Sequence, residues 1–572
     1  MRWLALIGIF PLLLNAQTQV TGRVVDASNN LPLAYCSVGV KGSPNGTITN
    51  EEGSFSLQVD FTADSITFSY VGFRTRTMAA QAVVERGIIV LARSVTELRE
   101  VEIVPAGEAL YELVARCAKA MRKQTSSKAK VYFEMNTHMD LQPVEVIECF
   151  YNASLNGPHI EDLLLKQGRI GIAPMKGRYF VSLDVTKAMS LLDIRGEASK
   201  FPMSPFQWTS ARAIRKRYDA QQEAYSTDGT RLDHLLLRPR DGTSGAFSVD
   251  VWIDSTTAQA RSIEMHCTGC RPHPFVVLKP EDRIEHMDMT VRFTFKANGT
   301  DAGKLDHTEL SYALVYKDDR GTRDVRTTAV MHCFDHGGEF ILPEFDYDQG
   351  QNDYRKITFQ PYDSAFWAAS PALVRTDAQE RDRDYFAEHG VLTGSTHVNL
   401  QKATFFESNY AWWSASKRIS LKTLPTPESA KTPTPTSRSS GATVSASQVH
   451  LEAQLYLDMD TINGTTRHFS ATVFDGFKSF YRLVEEPHTD VFLNIFFDLC
   501  EMERRAMEER LVGVSDVARI RSIHAVAVAN MQRTTTRYLK ETRLGADRSG
   551  LKHWNDRVQQ ALGIDNFSLF GL

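Results

Sequence analysis

Val20-Thr21-Gly22-Arg23-Val24-Val25-Asp26 alternates inward and outward side chains, and the alternation returns at Phe55, Leu57 and Val59 and again at Ile66, Phe68 and Tyr70. Asn29-Asn30, Asn45-Gly46 and Glu52-Gly53 cut these runs with turn-forming pairs. Strands this short and closely spaced can hide their apolar faces only against a second sheet. Residues 17–94 are therefore expected to form a small β-sandwich.

Read together with Pro32-Leu33, Val38, Lys41-Gly42-Ser43, Gly46-Thr47-Ile48-Thr49, Gly53-Ser54-Phe55 and Phe68-Ser69-Tyr70-Val71-Gly72-Phe73, the stretch resembles the carboxypeptidase regulatory-like domain, over residues 18–94 only. The resemblance implies a module of the kind found at the front of exported Gram-negative envelope proteins and outer-membrane TonB-dependent receptors, with no peptidase activity of its own. Leu98-Arg99-Glu100-Val101-Glu102-Ile103-Val104 is similar to the strand that follows the module in such proteins, but no long series of barrel strands succeeds it.

Upstream, Arg2, the apolar run from Trp3 to Leu14 and Asn15-Ala16-Gln17 have the order of a secretory signal peptide over residues 1–16, with cleavage expected after Ala16. No later stretch approaches the ~20 apolar residues of a membrane-spanning helix. The mature chain is thus expected in the periplasm or associated with the outer membrane, with no transmembrane span. Its 65 Lys and Arg against 69 Asp and Glu leave a charge of −4, which offers no polybasic field to nucleic acid. Seven cysteines in an exported chain can form disulfides, and an odd count leaves at least one thiol free or paired between chains.

At 572 residues the chain is expected to be multidomain and mainly β. Leu110, Leu113, Val114, Cys117, Ala118 and Met121 recur at helical spacing. This stretch, with Val131-Tyr132-Phe133, resembles the segment after the module in envelope proteins of uncharacterised function. Phe247, Val249, Val251 and Ile253, then Met289, Val291, Phe293 and Phe295, then Leu310, Tyr312, Leu314 and Tyr316 alternate as antiparallel strands, so residues 95–423 read as a central α+β antiparallel-sheet region. Val251-Trp252-Ile253-Asp254-Ser255-Thr256-Thr257 is similar to a strand-turn signal of periplasmic lipoprotein carriers, which implies an apolar, acyl-type ligand as one alternative. The other is a sheet whose apolar face is filled by the chain's own helices. Residues 424–448, rich in Pro, Thr and Ser, read as a disordered linker. Residues 449–572 read as a largely helical module, with a strand at Val449 to Met459 and Val491, Phe492, Ile495, Phe496, Leu499 and Met502 tracing one helix face.

Four groups of residues carry candidate chemistry. His336-Gly337-Gly338-Glu339 has the H-x-x-E spacing of a zinc carboxypeptidase, but Gly337-Gly338 between two strands reads equally as a turn. Cys267-x-x-Cys270, flanked by His266 and His273, is expected to be a loop disulfide or inert thiols, with metal and redox roles as alternatives. Asp490, Asn494, Asp498 and Glu501 share one helical face, expected to be solvated. Phe405-Phe406, Tyr410 and Trp412-Trp413 are expected to pack in a core, with sugar or peptide stacking as the alternative. No G-x-S-x-G elbow, P-loop or dinucleotide fingerprint is present. No residue is assigned a catalytic, cofactor-binding or metal role and no cofactor is expected. The leading expectation is a non-enzymatic protein acting in binding or assembly with an envelope protein partner. An apolar-ligand carrier and a zinc peptidase built on His336 and Glu339 are the alternatives.

Overall fold

Period-two alternation does build strands at the positions where it was read, and the burial pattern shows which set of alternates each sheet hides. The computed structural model describes residues 18–43, 45–59, 64–97, 107–175, 178–179, 185–196, 200–226, 230–242, 245–277, 279–297, 299, 301–393, 408–420, 448–462 and 464–572. The signal segment with its Ala16 cleavage point, the Leu98–Val104 run, Phe405-Phe406 and residues 424–447 lie outside the described residues. With 41% strand and 27% helix the chain is mainly β.

The N-terminal strands are β1 (Thr18–Asp26), β2 (Ser37–Val40), β3 (Gly46–Ile48), β4 (Ser54–Val59), β5 (Ser65–Ser69), β6 (Arg76–Ala79) and β7 (Ile88–Leu91). They form two sheets, ordered β4-β1-β7 and β3-β2-β5-β6. Val20, Val24, Phe55 and Leu57 of the first meet Val38, Ile66 and Phe68 of the second in one core. The Phe55 and Phe68 rings stand edge-on at 5.6 Å. The expected β-sandwich is present, and it carries a helix that was not expected: α1 (Ala80–Arg86) buries Ala80 and Val83. Two turns are too few for a 3.6-residue period to show in the sequence.

The next strand, β8 (Val95–Glu97), leaves the sandwich and becomes the edge of a twelve-stranded sheet. After α2 (Glu108–Arg122) come β9 (Ser127–Met139), β10 (Gln142–Asn156), β11 (His159–Ile172), the short pair β12 (Pro174–Met175) and β13 (Arg178–Tyr179), α3 (Val185–Leu191) and α4 (Ala211–Arg215). Seven strands follow: β14 (Tyr218–Ser226), β15 (Leu232–Pro239), β16 (Ser248–Asp254), β17 (Ala260–Cys267), β18 (Arg283–Phe295), β19 (Leu305–Asp318) and β20 (Gly321–His336). The strand order from the far edge is β21-β11-β10-β9-β20-β19-β18-β17-β16-β15-β14-β8, where β21 is Val391–Leu392. Val249, Val251, Ile253, Met289, Val291, Phe293, Leu310, Tyr312 and Leu314, the alternates read as apolar, are all between 0% and 6% exposed. On α2, Leu113, Val114, Cys117, Ala118 and Met121 are buried as expected.

Among the described residues the chain divides into two compact units, one over 1–164, 168–339 and 370–398 and the other over 165–167, 340–369 and 399–572. The sandwich and the long sheet share the first unit because β8 pairs antiparallel with β14 and Ser94 Oγ hydrogen-bonds Ser226 Oγ at 2.6 Å. The second unit begins earlier in the chain than residue 449, the boundary expected from the sequence. Glu344 N donates to Leu457 O at 2.7 Å and draws α5 (Asp353–Phe359) and α6 (Ser364–Ala369) into it.

In the first unit α7 (Asp377–His389) opens on a capping box made by Thr376 and Gln379. It closes at Gly390, where an added Cβ would lie 2.0 Å from the Ile172 carbonyl oxygen. Gly390→Ala is therefore expected to lift α7 and β21 off β11 at a cost of about 1–3 kcal/mol. Hydrogen exchange of the α7 amides should accelerate; unchanged protection would refute the close approach.

The second unit continues with β22 (Tyr410–Trp412), β23 (Val449–His450), β24 (Ala453–Ile462), β25 (Thr465–Asp475), β26 (Phe480–Tyr481), α8 (Thr489–Leu511), α9 (Val517–Glu541), α10 (Arg548–Leu562) and α11 (Asn566–Leu569). α8 is the helix whose face was traced from Val491 to Met502. The β24–β25 hairpin makes the unit less purely helical than expected, since only the first of its two strands was read.

Candidate functional site

The alternates facing away from the apolar side of the long sheet carry its chemistry. Successive registers place Asp250 opposite Glu264, Glu264 opposite Arg292, Arg292 opposite Glu309, Glu309 opposite Val330, Val330 opposite Glu134, and Glu134 opposite Glu148. One row of mostly ionisable side chains therefore crosses seven strands. Arg292 Nε donates to Glu264 at 2.8 Å and Arg292 also pairs with Glu309 at 3.4 Å, so β18 sets a cation between the anions of its two neighbouring strands.

The row is most buried at Glu134 and Glu148, which are 6% and 2% exposed. Glu148 accepts from Arg169 Nε at 2.6 Å and pairs with Arg383 at 3.2 Å and Arg375 at 3.4 Å. Burial alone would raise the Glu148 pKa, but these three guanidiniums hold it well below the ordinary carboxylate range. Glu134 goes the other way, because burial and then the Glu148 charge raise it. Tyr132 Oη lies 3.0 Å from both carboxylates and has one proton to give. With its pKa raised to about 7, Glu134 can carry a proton, and in that form it would donate to Tyr132 while Tyr132 donates to Glu148. Asn136 and Gln379 also hydrogen-bond Glu134, so the cluster ties the N-terminal turn of α7 to β9 and β10.

A second buried cluster lies where the sandwich meets β19. Ser37 Oγ donates to Asp306 at 2.6 Å and the Asp306 carboxylate is 2.9 Å from His307 Nδ1. Ser37 is hydrogen-bonded to the acid and not to the imidazole, so the trio lacks a nucleophile activated by a base. Burial opposes charging His307, but Asp306 and Glu309 overcome it and push its pKa up to about 9. Its cross-strand neighbour His332 is pushed by burial down to about 3, and His336 by burial and Lys296 down to about 4. A histidine with a lowered folded pKa takes up its proton on unfolding, so its contribution is intact above about pH 6.5 and is lost as the pH falls. His332→Gln is expected to shrink the stability lost between about pH 6.5 and 5 by about 2 kcal/mol. Glu134 gains stability over the same window, but equally in both proteins, so it cancels from the comparison. Urea unfolding at the two pH values checks this; parallel losses would contradict it.

The H-x-x-E spacing does not bring its residues to one centre. His336 Nε2 bonds the Leu305 carbonyl at 3.0 Å, Glu339 pairs with Lys128 at 2.7 Å, and Gly337 supplies the positive φ of a turn. Among the described residues no group of three or more His, Cys, Asp or Glu side chains is placed to hold a metal ion. Cys267 and Cys270 form a disulfide beside a pocket of about 320 Å3 that His273 and His286 help to line. His266 hydrogen-bonds Thr290 and Thr268. Cys36, Cys117, Cys149, Cys333 and Cys500 are buried outside this disulfide.

The acidic row of α8 corrects an expectation. Asn494 and Asp498 are 0% exposed and Glu501 2%, so they do not form a solvated face. Asp498 accepts from Trp413 Nε1 at 2.8 Å, from Arg418 at 2.6 Å and from Asn566 Nδ2 at 2.8 Å. Asn494 bonds both the N–H and the carbonyl of Ile419. Glu501 accepts from Thr472, Arg504 and Arg505. The helix is polar there because residues 413–419, β25 and α11 bring donors to it, a tertiary fact that spacing along the helix cannot carry. Tyr410 and Trp412 pack with Phe359 and Tyr456 in a core cluster, as expected, and the Trp412 ring stacks on Phe359 at 4.4 Å.

No curated protein matches the chain. Of the solved structures similar to it, the Pseudomonas aeruginosa MucA/MucB complex is 12% identical over 39% of this chain and 93% of that chain, with a TM-score of 0.14. A DUF1329 family protein from Desulfovibrio piger is 10% identical over 40% of this chain and 94% of that chain, with a TM-score of 0.17. Residues 20–103 match the family model, so the chain carries a CarboxypepD_reg-like domain at its sandwich.

Proposed function

We propose that the protein is an exported, non-enzymatic component of a Gram-negative cell envelope, in the periplasm or associated with the outer membrane, that acts in binding or assembly. The observation that carries this reading is how the long sheet spends its two faces. At the residues that alternate inward, one is covered to within a few per cent, which favours a filled face over one open to an acyl chain. The other matches its charged groups to one another. In this reading the CarboxypepD_reg-like domain positions the rest of the chain, supported by Ser37–Asp306, Ser94–Ser226 and the passage of β8 into the sheet.

Crosslinking in the native envelope, followed by identification of the captured protein, tests it. A specific partner recovered repeatedly is the expected result. An acyl lipid co-purifying with the mature chain would replace the reading with a carrier. Zinc retained by the wild type and lost in His336→Ala would replace it with a hydrolase.

A further inference from the structure

From Ser515 to Leu572 the chain carries nine Lys and Arg against five Asp and Glu, a net +4 in a protein of −4. The fold concentrates part of that excess. Arg533, Arg537 and Lys540 recur along the exposed side of α9, around an open depression of about 680 Å3 lined also by Ala529, Gln532, Thr536 and one acid, Glu541. From α10, Arg557 lies 4.5 Å from the Trp554 ring centroid, and Arg537 of α9 lies 5.7 Å from the same ring. One indole thus gathers cations from two helices. Arg537 is ion-paired to Glu541 at 2.7 Å and Arg533 donates to the Asn530 amide oxygen, whereas among the described residues neither Arg533 nor Lys540 has an acidic partner.

We infer that the basic face of α9 and α10 around Arg533, Arg537, Lys540 and Arg557 docks an acidic polypeptide segment of the envelope partner, an inference that rests on the binding reading above. Arginine matches carboxylates with two parallel hydrogen bonds, and three of the four cations are arginine. A second copy paired through α9 does not fit: antiparallel pairing of this face with itself would set Arg519 against Arg537 and Lys540, cation against cation. A lipid surface does not fit either, because the floor of the depression has no large apolar side chain to bury at the acyl boundary.

The test measures fluorescence anisotropy of labelled oligoglutamate with the full mature chain. The comparison is with Arg533→Gln/Lys540→Gln, which keeps helix-forming residues at exposed positions, and with a control, Lys119→Gln/Lys123→Gln. Binding that weakens with salt, falls about tenfold in the α9 variant and is unchanged in the control is expected. Equal affinity of the α9 variant and wild type overturns the inference, as does phosphatidylglycerol-vesicle binding that the α9 substitutions abolish while oligoglutamate is not bound. In the native-envelope crosslinking, a partner still captured by the α9 variant overturns this surface and leaves the binding reading standing. No partner captured by either protein overturns the binding reading itself.

Discussion

Asp498→Ala is expected to destabilise the C-terminal unit by about 3–5 kcal/mol, the cost of leaving a buried charge uncompensated. Asp498 is fully buried and receives three hydrogen bonds, from Trp413, Arg418 and Asn566. Its removal strands the Arg418 guanidinium, whose side chain is only 10% exposed, in a site it cannot leave without opening the packing of residues 413–419 on α8. The effect should therefore be local. Hydrogen exchange should accelerate first in α8 and α11, which the carboxylate joins through Asn566. Asp498→Asn, which keeps the shape and removes the charge, should recover part of the loss. A cost below about 1 kcal/mol would place the pair with exposed ion pairs and remove it as the organising contact of the unit.

The second large effect is expected at Glu148. Glu148→Ala leaves Arg169, Arg375 and Arg383 facing one another at side-chain exposures of 9%, 22% and 18%, again at about 3–5 kcal/mol. α7 should detach, because two of the three arginines anchor it. Glu134 lies directly opposite on β9, yet Glu134→Gln should change stability at neutral pH by less than about 1 kcal/mol, since an amide resembles the protonated acid. Urea unfolding of the two variants separates these outcomes. Equal losses would show that Glu134 is ionised and that the proton has been assigned to the wrong carboxylate.

These two clusters also mark where reading along the chain stops. Glu134 and Glu148 are fourteen positions apart and sit on either side of a hairpin whose register decides that they face each other. Nothing in the local pattern distinguishes them from surface glutamates. The signal available was the alternation itself: once Met289, Val291 and Phe293 are assigned inward, Thr290, Arg292 and Thr294 must share the other face. Asp498 was legible as one of a helical row, but its environment was not. Its spacing fits a wet face and a buried one equally well, and the donors that bury it come from positions 413, 418 and 566.

Alternation between polar and apolar residues, with turn pairs at its breaks, was enough to specify the N-terminal double sheet, the antiparallel strands between 247 and 316 and the terminal helices, because each hides a stripe repeating at its own backbone period. What covers those stripes, and where charge is buried, was settled only when distant segments met. β8 joins the sandwich to the long sheet, Glu344 draws an internal stretch to the C-terminal hairpin, and carboxylates find arginines far along the chain. The reason is physical: periodicity records which side of an element turns inward, whereas the worth of a buried charge depends on partners that only the folded chain brings within reach.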